Sequence, residues 1–233
     1  MVQIGNFFFR YRNYLFIFLY LALFIPSPPI FSHYVYPLVI GLVITVAGQL
    51  IRGLTISLAY IVRGGKDKKV YADKLVTDGF FAHCRNPLYV GNILMLLGVG
   101  ILVNSLIYLV VFIPLFLFIY QAIVLAEENF LRQKFGSEFD AYTKCVHRWL
   151  INPVGLAKTI SGMHFFWKRW LVKEYNTQVI WLTGIAIILF YKYTHWSWDT
   201  DTRNTWLAIV LVILAVYYLT IRYLKKSGKW AVA

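Results

Sequence analysis

The stretch "NPLYVGNILMLLGVGILVNSLIYLVVFIPLFLFIYQAIVLAEEN", residues 86–129, holds two long apolar runs that meet at Asn104 and Ser105. Between Asn86 and Glu127 it carries no charged residue. Each run, residues 88–103 and 106–125, approaches the roughly 20 residues that a helix needs to cross a hydrocarbon layer. A turn of about two residues leaves the runs only one arrangement, an antiparallel helical hairpin. With equal rise along both helices, reflection about the turn sets Glu127 opposite Ala82 and His83, and Val124 opposite Arg85. The preceding "FFAHCRNPLYVGN", residues 80–92, and the acidic pair Glu127-Glu128 therefore meet at one end of the hairpin.

Composition agrees with a membrane protein. Sixty per cent of the 233 residues are hydrophobic, against roughly 45–50% in soluble domains. The net charge of +13 is carried by Lys and Arg beside the apolar runs, the placement of cytoplasmic loops rather than of a nucleic-acid surface. Cys84 and Cys145 fall in segments expected on the reducing side, without the spacing of a metal site, so neither a disulfide nor a metal is expected.

Working outward, the expected architecture is all-α, with six spans at about 4–25, 35–62, 88–103, 106–125, 177–194 and 205–222. The connection 26–36 has no Lys or Arg, whereas 63–86, 126–173 and the tail after Arg222 are rich in both. Both termini are therefore expected on the cytoplasmic side. The first run has the charged flank of a signal peptide, but Pro26, Ser27, Pro28 and Pro29 follow it in place of a small-residue cleavage site, so it is read as a retained helix. Residues 61–79 read as an exposed loop around Gly64-Gly65, and residues 126–153 as two short amphipathic helices punctuated by Gly136. Pro114 is expected to kink the fourth span. "FWKRWLVKEY", residues 166–175, reads as a helix in the membrane interface. Three parts follow: a two-helix segment 1–62, a core 63–153, and an interfacial helix plus hairpin 154–233.

The expected pocket gathers His83, Arg85, Asn86, Pro87 and Tyr89 with Glu127 and Glu128. Pro87 opens a helix, where unpaired backbone N–H groups favour an anionic group. A zwitterionic ligand suits the set: its carboxylate meets the helix start or Arg85, its ammonium meets Glu127 or Glu128, and Tyr89 packs against a ring or sulfonium. An ordinary membrane boundary uses the same residue types as anchors, and a lone histidine such as His83 or His147 is commonly a packing residue. Gln49 and Arg52 sit near the inner end of the second span, where polar groups serve function or snorkel to the interface.

"LVTDGFFAHCRNPLYVGN" followed after the hairpin by "EENFLRQKFGSEFDAYTKCV" resembles the isoprenylcysteine carboxyl methyltransferase family, within the wider group that includes phospholipid N-methyltransferases. Residues 75–153 carry the resemblance. It implies S-adenosylmethionine as methyl donor at the cytoplasmic end of the hairpin and a lipid-like or prenylated acceptor reaching it from the bilayer. Carried over by position, Arg85, Asn86, Pro87 and Tyr89 line the donor site, Glu127 and Glu128 close it, and Tyr142 and Arg148 face donor or acceptor. Asn86 stands where the family often has His, which excludes imidazole acid–base chemistry at that position. Cys145 and His147 replace a usual basic residue and a usual Pro, which bears on the acceptor.

Methyl transfer from a sulfonium is an in-line displacement, served by orientation and desolvation. A carboxylate acceptor needs no base; an amine or thiol needs one, for which Glu128, His83 and His147 are candidates. Arg148 is the candidate for a forked grip on an anionic acceptor. The competing readings are an NADPH-dependent reductase of the sterol-reductase type, a phospholipid N-methyltransferase, and a membrane scaffold without catalysis.

Overall fold

The computed structural model describes residues 1–58, 63–66, 69–193 and 199–230. The last four residues of the second expected span, 59–62, lie outside that range. The chain forms two compact units, Met1–His164 and Phe165–Ala233.

In the first unit, α1 (Val2–Leu21) and α2 (Val35–Leu58) are followed by a two-stranded antiparallel hairpin, β1 (Arg63–Lys66) and β2 (Lys69–Ala72). Then come α3 (Pro87–Leu102), α4 (Ile113–Phe135), α5 (Ser137–Cys145) and α6 (Leu156–Gly162). The fold is helical as expected, and the β-hairpin stands within the segment read as an irregular loop. Strand pairing sets Gly64 opposite Tyr71 and Gly65 opposite Val70.

Small residues decide which helices touch. A Cβ on Gly41 would fall 2.8 Å from the Gly98 carbonyl oxygen, and one on Gly48 would fall 2.6 Å from the Gly91 carbonyl oxygen. Two turns forward along α2 are matched by two turns back along α3, so the pair is antiparallel and backbone-close, the contact that glycine permits in hydrocarbon. On the other side Gly5 of α1 meets the Ala122 carbonyl of α4, where a Cβ would fall at 1.9 Å. Phe16 packs tilted against Phe116 and edge-on to Tyr120, at 5.6 and 5.4 Å between centroids.

The end of this bundle remote from the acidic pair is closed by Asn104. Its φ of 58° is the left-handed conformation that Asn tolerates, and its amide oxygen accepts from the Ile30 and Phe31 N–H groups at 2.9 and 3.0 Å. Residues 108–112 form a π turn directly before Pro114. A wide turn accommodates the proline's missing N–H and its ring. Beyond the hydrocarbon zone α4 continues unbroken to Phe135. Gly136, at φ 53° and ψ −124°, then turns the chain into α5. The first of the two expected short helices is thus the continuation of α4. Ala72, Leu131 and Phe139 form a small core there, with Leu75 and Tyr142 against it.

In the second unit α7 (Trp167–Lys192) and α8 (Thr200–Lys226) pair, with Tyr217 donating to Gln178. Residues 167–192 form one continuous helix rather than an interfacial helix and a separate span, because "EYNTQV" contains no Gly or Pro to end it.

Among the described residues, four helical segments can cross a membrane by length and composition: Val2–Phe24, Val35–Leu58, Tyr108–Phe135 and Thr200–Lys226. Pro87–Leu102 is apolar but shorter. Their outward faces carry exposed Phe18, Val43, Leu50, Val110 and Ile213, as helices solvated by hydrocarbon do.

Candidate active site at the start of α3

Residues 83–86 are not helical. They run beside residues 147–152: the Arg85 N–H donates to the His147 carbonyl at 2.9 Å, and the Asn152 N–H to the His83 carbonyl at 2.9 Å. Pro87 then starts α3, with Asn86 before it at φ −131° and ψ 52°. The Asn86 side chain does not cap the helix; its amide donates to the Arg148 carbonyl at 3.2 Å. The Cys84 thiol lies 3.6 Å from the same carbonyl. Three side-by-side residues thus fix the backbone that carries Arg148.

Arg148 is brought to Glu128 in a forked pair, Nε to Oε1 at 3.0 Å and Nη2 to Oε2 at 2.7 Å. Arg85 approaches the same carboxylate at 3.6 Å. The Glu128 hydrogen bonds hold the Arg148 guanidinium above its ordinary pKa, against the opposing effect of desolvation. Glu128 is 5% exposed, so two cations share one sheltered anion and the triad keeps a net positive charge. Next to it, on α3 and α4, the Tyr89 hydroxyl donates to Glu127 Oε1 at 2.8 Å. Glu127 is equally buried.

The expected residues thus divide. Arg85, Tyr89, Glu127, Glu128 and Arg148 meet at the start of α3. His83 turns to the neighbouring loop: a carbonyl only accepts, so Nδ1 donates to the Asn152 oxygen at 2.9 Å, and Nε2 pairs with the Thr159 hydroxyl at 2.8 Å. The Tyr142 hydroxyl is occupied by the Phe81 carbonyl at 2.7 Å. The expected pairing of the hairpin is displaced by one to two turns, since Glu127 meets Tyr89 and Glu128 meets Arg85. Reflection treats residues 83–86 as helix, whereas they are a tight turn and irregular chain, and the π turn at 108–112 adds a residue on the α4 side.

An apolar groove of about 500 Å³ opens between α3 and α4, lined by Val90, Ile93 and Leu94, by Leu117, Phe118 and Gln121, and by Trp149. The Trp149 indole N–H donates to Gln121 Oε1 at 2.9 Å, which fixes the ring beside Arg148. Neither Trp149 nor Gln121 stood out in the sequence, and the only available signal was a polar residue within an apolar run. Arg52, read as functional or snorkelling, donates to Asn92 and the Leu88 carbonyl of α3. The buried Gln49 amide has no hydrogen-bond partner among the described residues.

Residues 36–138 match the model of the phospholipid methyltransferase family. This segment is similar to the phospholipid methyltransferase family. It contains Arg85, Tyr89, Glu127 and Glu128, while Tyr142 and Arg148 lie beyond it. The chain is 28% identical over 116 residues to a probable protein-S-isoprenylcysteine O-methyltransferase of Oryza sativa subsp. japonica, covering 48% of this chain and 59% of that one. It is 40% identical over 70 residues to the cobalt-zinc-cadmium resistance protein CzcN of Cupriavidus metallidurans, covering 30% and 32%. The nickel-cobalt-cadmium resistance protein NccN of Alcaligenes xylosoxydans xylosoxydans is 34% identical over 71 residues, covering 30% and 33%. The chain spans between about a third and three-fifths of the length of these curated relatives. No solved structure matches it. The resemblance to the isoprenylcysteine and phospholipid methyltransferase group therefore stands. Among the described residues no three or more His, Cys, Asp and Glu side chains gather as a metal site would require.

Proposed function

We propose that the protein is an integral membrane methyltransferase that takes its methyl group from S-adenosylmethionine and passes it to a lipid-like or prenylated acceptor. The observation that carries this reading is the Arg85–Glu128–Arg148 triad beside the Tyr89–Glu127 pair, four of whose five residues lie in the matched segment.

The residues suit the donor. Arg85 Nε is buried and has no hydrogen-bond partner among the described residues, so it offers a donor to a carboxylate. Glu127 suits an ammonium, and Tyr89 and Tyr120, 5.3 Å apart between centroids, suit a sulfonium or a ring. Arg85, Pro87, Tyr89, Glu127 and Glu128 would hold the donor; His83, Asn86 and Tyr142, their polar atoms tied to neighbouring chain, would shape its wall. Bound there, S-adenosylmethionine supplies an electrophilic methyl.

Arg148 is the residue for the acceptor. Its side chain is 32% exposed and keeps the forked geometry that matches an anionic head group. The groove lined by Trp149 would take the apolar chain of the same molecule, with the head group at Arg148. For an amine acceptor, Glu128 would receive the proton.

The topology proposed is six spans, α1 to α4 plus α7 and α8, with both termini and the site on the cytoplasmic face and the methyl-transfer core at residues 63–153. Lys and Arg in 63–86 and 126–173, against none in 26–36, support that orientation. The deciding experiment is equilibrium binding of S-adenosylhomocysteine to the detergent-purified protein, beside NADPH. Saturable binding that Glu127→Gln weakens at least tenfold is expected. Binding of NADPH alone would replace this reading by a reductase.

A further inference from the structure

Arg52 stands on α2 about 9 Å inside the last described turn, by six residues of 1.5 Å rise. A guanidinium so placed in an apolar helix ordinarily bends along the helix to reach water. This one donates sideways. Its Nη1 meets the Asn92 side-chain oxygen and the Leu88 carbonyl, the latter at 3.4 Å. Its stem crosses Gly91, where a Cβ would lie 2.6 Å from Arg52 Cγ. Leu88, Gly91 and Asn92 together form a saddle for one side chain of another helix.

Tyr89 lies within that saddle and points the other way, its hydroxyl on Glu127 of α4. Its ring tilts on Tyr120 at 5.3 Å. The first turn of a helix is its least secured part, because its leading amides lack intrahelical partners and its ends open locally. Here that turn is held from α2 on one face and reads a carboxylate of α4 on the other.

We propose that Arg52 is a positioning residue: by gripping Leu88 and Asn92 it holds the first turn of α3 in the place that keeps Tyr89 on Glu127. The consequence for ligand affinity rests on the donor reading given above. Glycine at position 91 makes room for both the Arg52 stem and the Gly48 carbonyl, 2.6 and 2.7 Å from where a Cβ would lie.

The test compares full-length wild type with Arg52→Lys, Arg52→Gln, Tyr89→Phe and the Arg52→Gln/Tyr89→Phe double variant in lipid nanodiscs. Amide hydrogen exchange and S-adenosylhomocysteine binding are measured on each. Arg52→Gln is expected to speed exchange of the amides of residues 88–91 about tenfold, leave residues 98–102 unchanged, and weaken binding about tenfold. Arg52→Lys, charged but unforked, should fall between. In the Tyr89→Phe background, loss of Arg52 should weaken binding little further. Unchanged exchange at 88–91, a uniform rise along α3, or faster exchange with wild-type affinity would each overturn the proposal. If the wild type binds no S-adenosylhomocysteine, the donor reading fails, and the exchange pattern alone upholds or refutes the hold of Arg52.

Discussion

Replacing Glu128 by Gln tests the centre of the site, because it removes one charge and almost no volume. Glu128 accepts two charge-assisted hydrogen bonds from Arg148 and faces Arg85 at 3.6 Å. The amide keeps one acceptor oxygen, turns its NH2 toward a guanidinium, and leaves two cations sharing a sheltered space. Breaking a buried pair costs about 3–5 kcal/mol. Arg148 is a third exposed and water screens part of its charge, so the lower end applies, roughly 3 kcal/mol. Reversible unfolding in mixed micelles measures the loss. The double variant Glu128→Gln/Arg148→Gln should recover about half of it, since the repulsion goes with the second charge. A single variant within about 0.5 kcal/mol of wild type, with no recovery in the double variant, would refute a sheltered triad.

Other outcomes follow from single contacts. Gly91→Ala drives a Cβ into the Arg52 stem and to 2.7 Å from the Gly48 carbonyl oxygen, and should cost about 1–3 kcal/mol as an overpacked contact in the same unfolding assay. Gln49→Met deletes two buried atoms without partners and should leave the protein as stable or raise it by about 1 kcal/mol. Burial pushes the Cys84 thiol above its ordinary pKa, against weaker opposing effects from the Asn86 backbone and Arg85. Its thiolate fraction at pH 8 is thereby reduced, so maleimide followed by peptide mass spectrometry should label exposed Cys145 rapidly and Cys84 at least tenfold more slowly. Trp149→Ala opens the groove and should raise KM for a long-chain acceptor about tenfold while S-adenosylhomocysteine affinity stays within twofold; a loss of both equally would place Trp149 in the donor wall.

What the sequence made legible was whatever depends on order along the chain. Apolar run length located α1, α2, α3 and α4, and the short turn at Asn104 brought the motif and the acidic pair to one end. Glu128, Tyr89 and Arg85 were readable because Pro87 starts a helix there and the carboxylates lie one hairpin away. Detailed pairings were not readable, because they depend on where helix stops. The reflection carried helical rise through residues 83–86, which are not helical, and it did not include the extra residue of the π turn. α7 escaped for the opposite reason, since a shift from charged and aromatic residues to apolar ones looked like a boundary where the backbone has no breaker.

The apposition of residues 83–86 with 147–152 had no sequence signal at all, and it changes the meaning of three expected ligand residues. Side chains read as reaching for a ligand, His83, Asn86 and Tyr142, spend their polar atoms on backbone carbonyls or a hydroxyl of neighbouring chain. That division has a physical logic. A charged pocket at a membrane surface must keep Arg148 from relaxing into water, and a free guanidinium on an irregular loop would do so. Three hydrogen-bonded neighbours, held by the turn before α3, stiffen the loop and leave Glu128 to set the guanidinium's direction. The substitution of Asn for a frequent His at position 86 fits this role, because an amide donor can satisfy the Arg148 carbonyl at every pH. If so, Asn86→His should preserve activity above about pH 7 and shift the alkaline side of the rate profile by less than half a unit, whereas Asn86→Leu, which leaves that carbonyl without its amide donor, should raise the acceptor KM with little change in donor affinity. Equal acceptor KM in the leucine variant and wild type would show that the loop is held by its backbone alone.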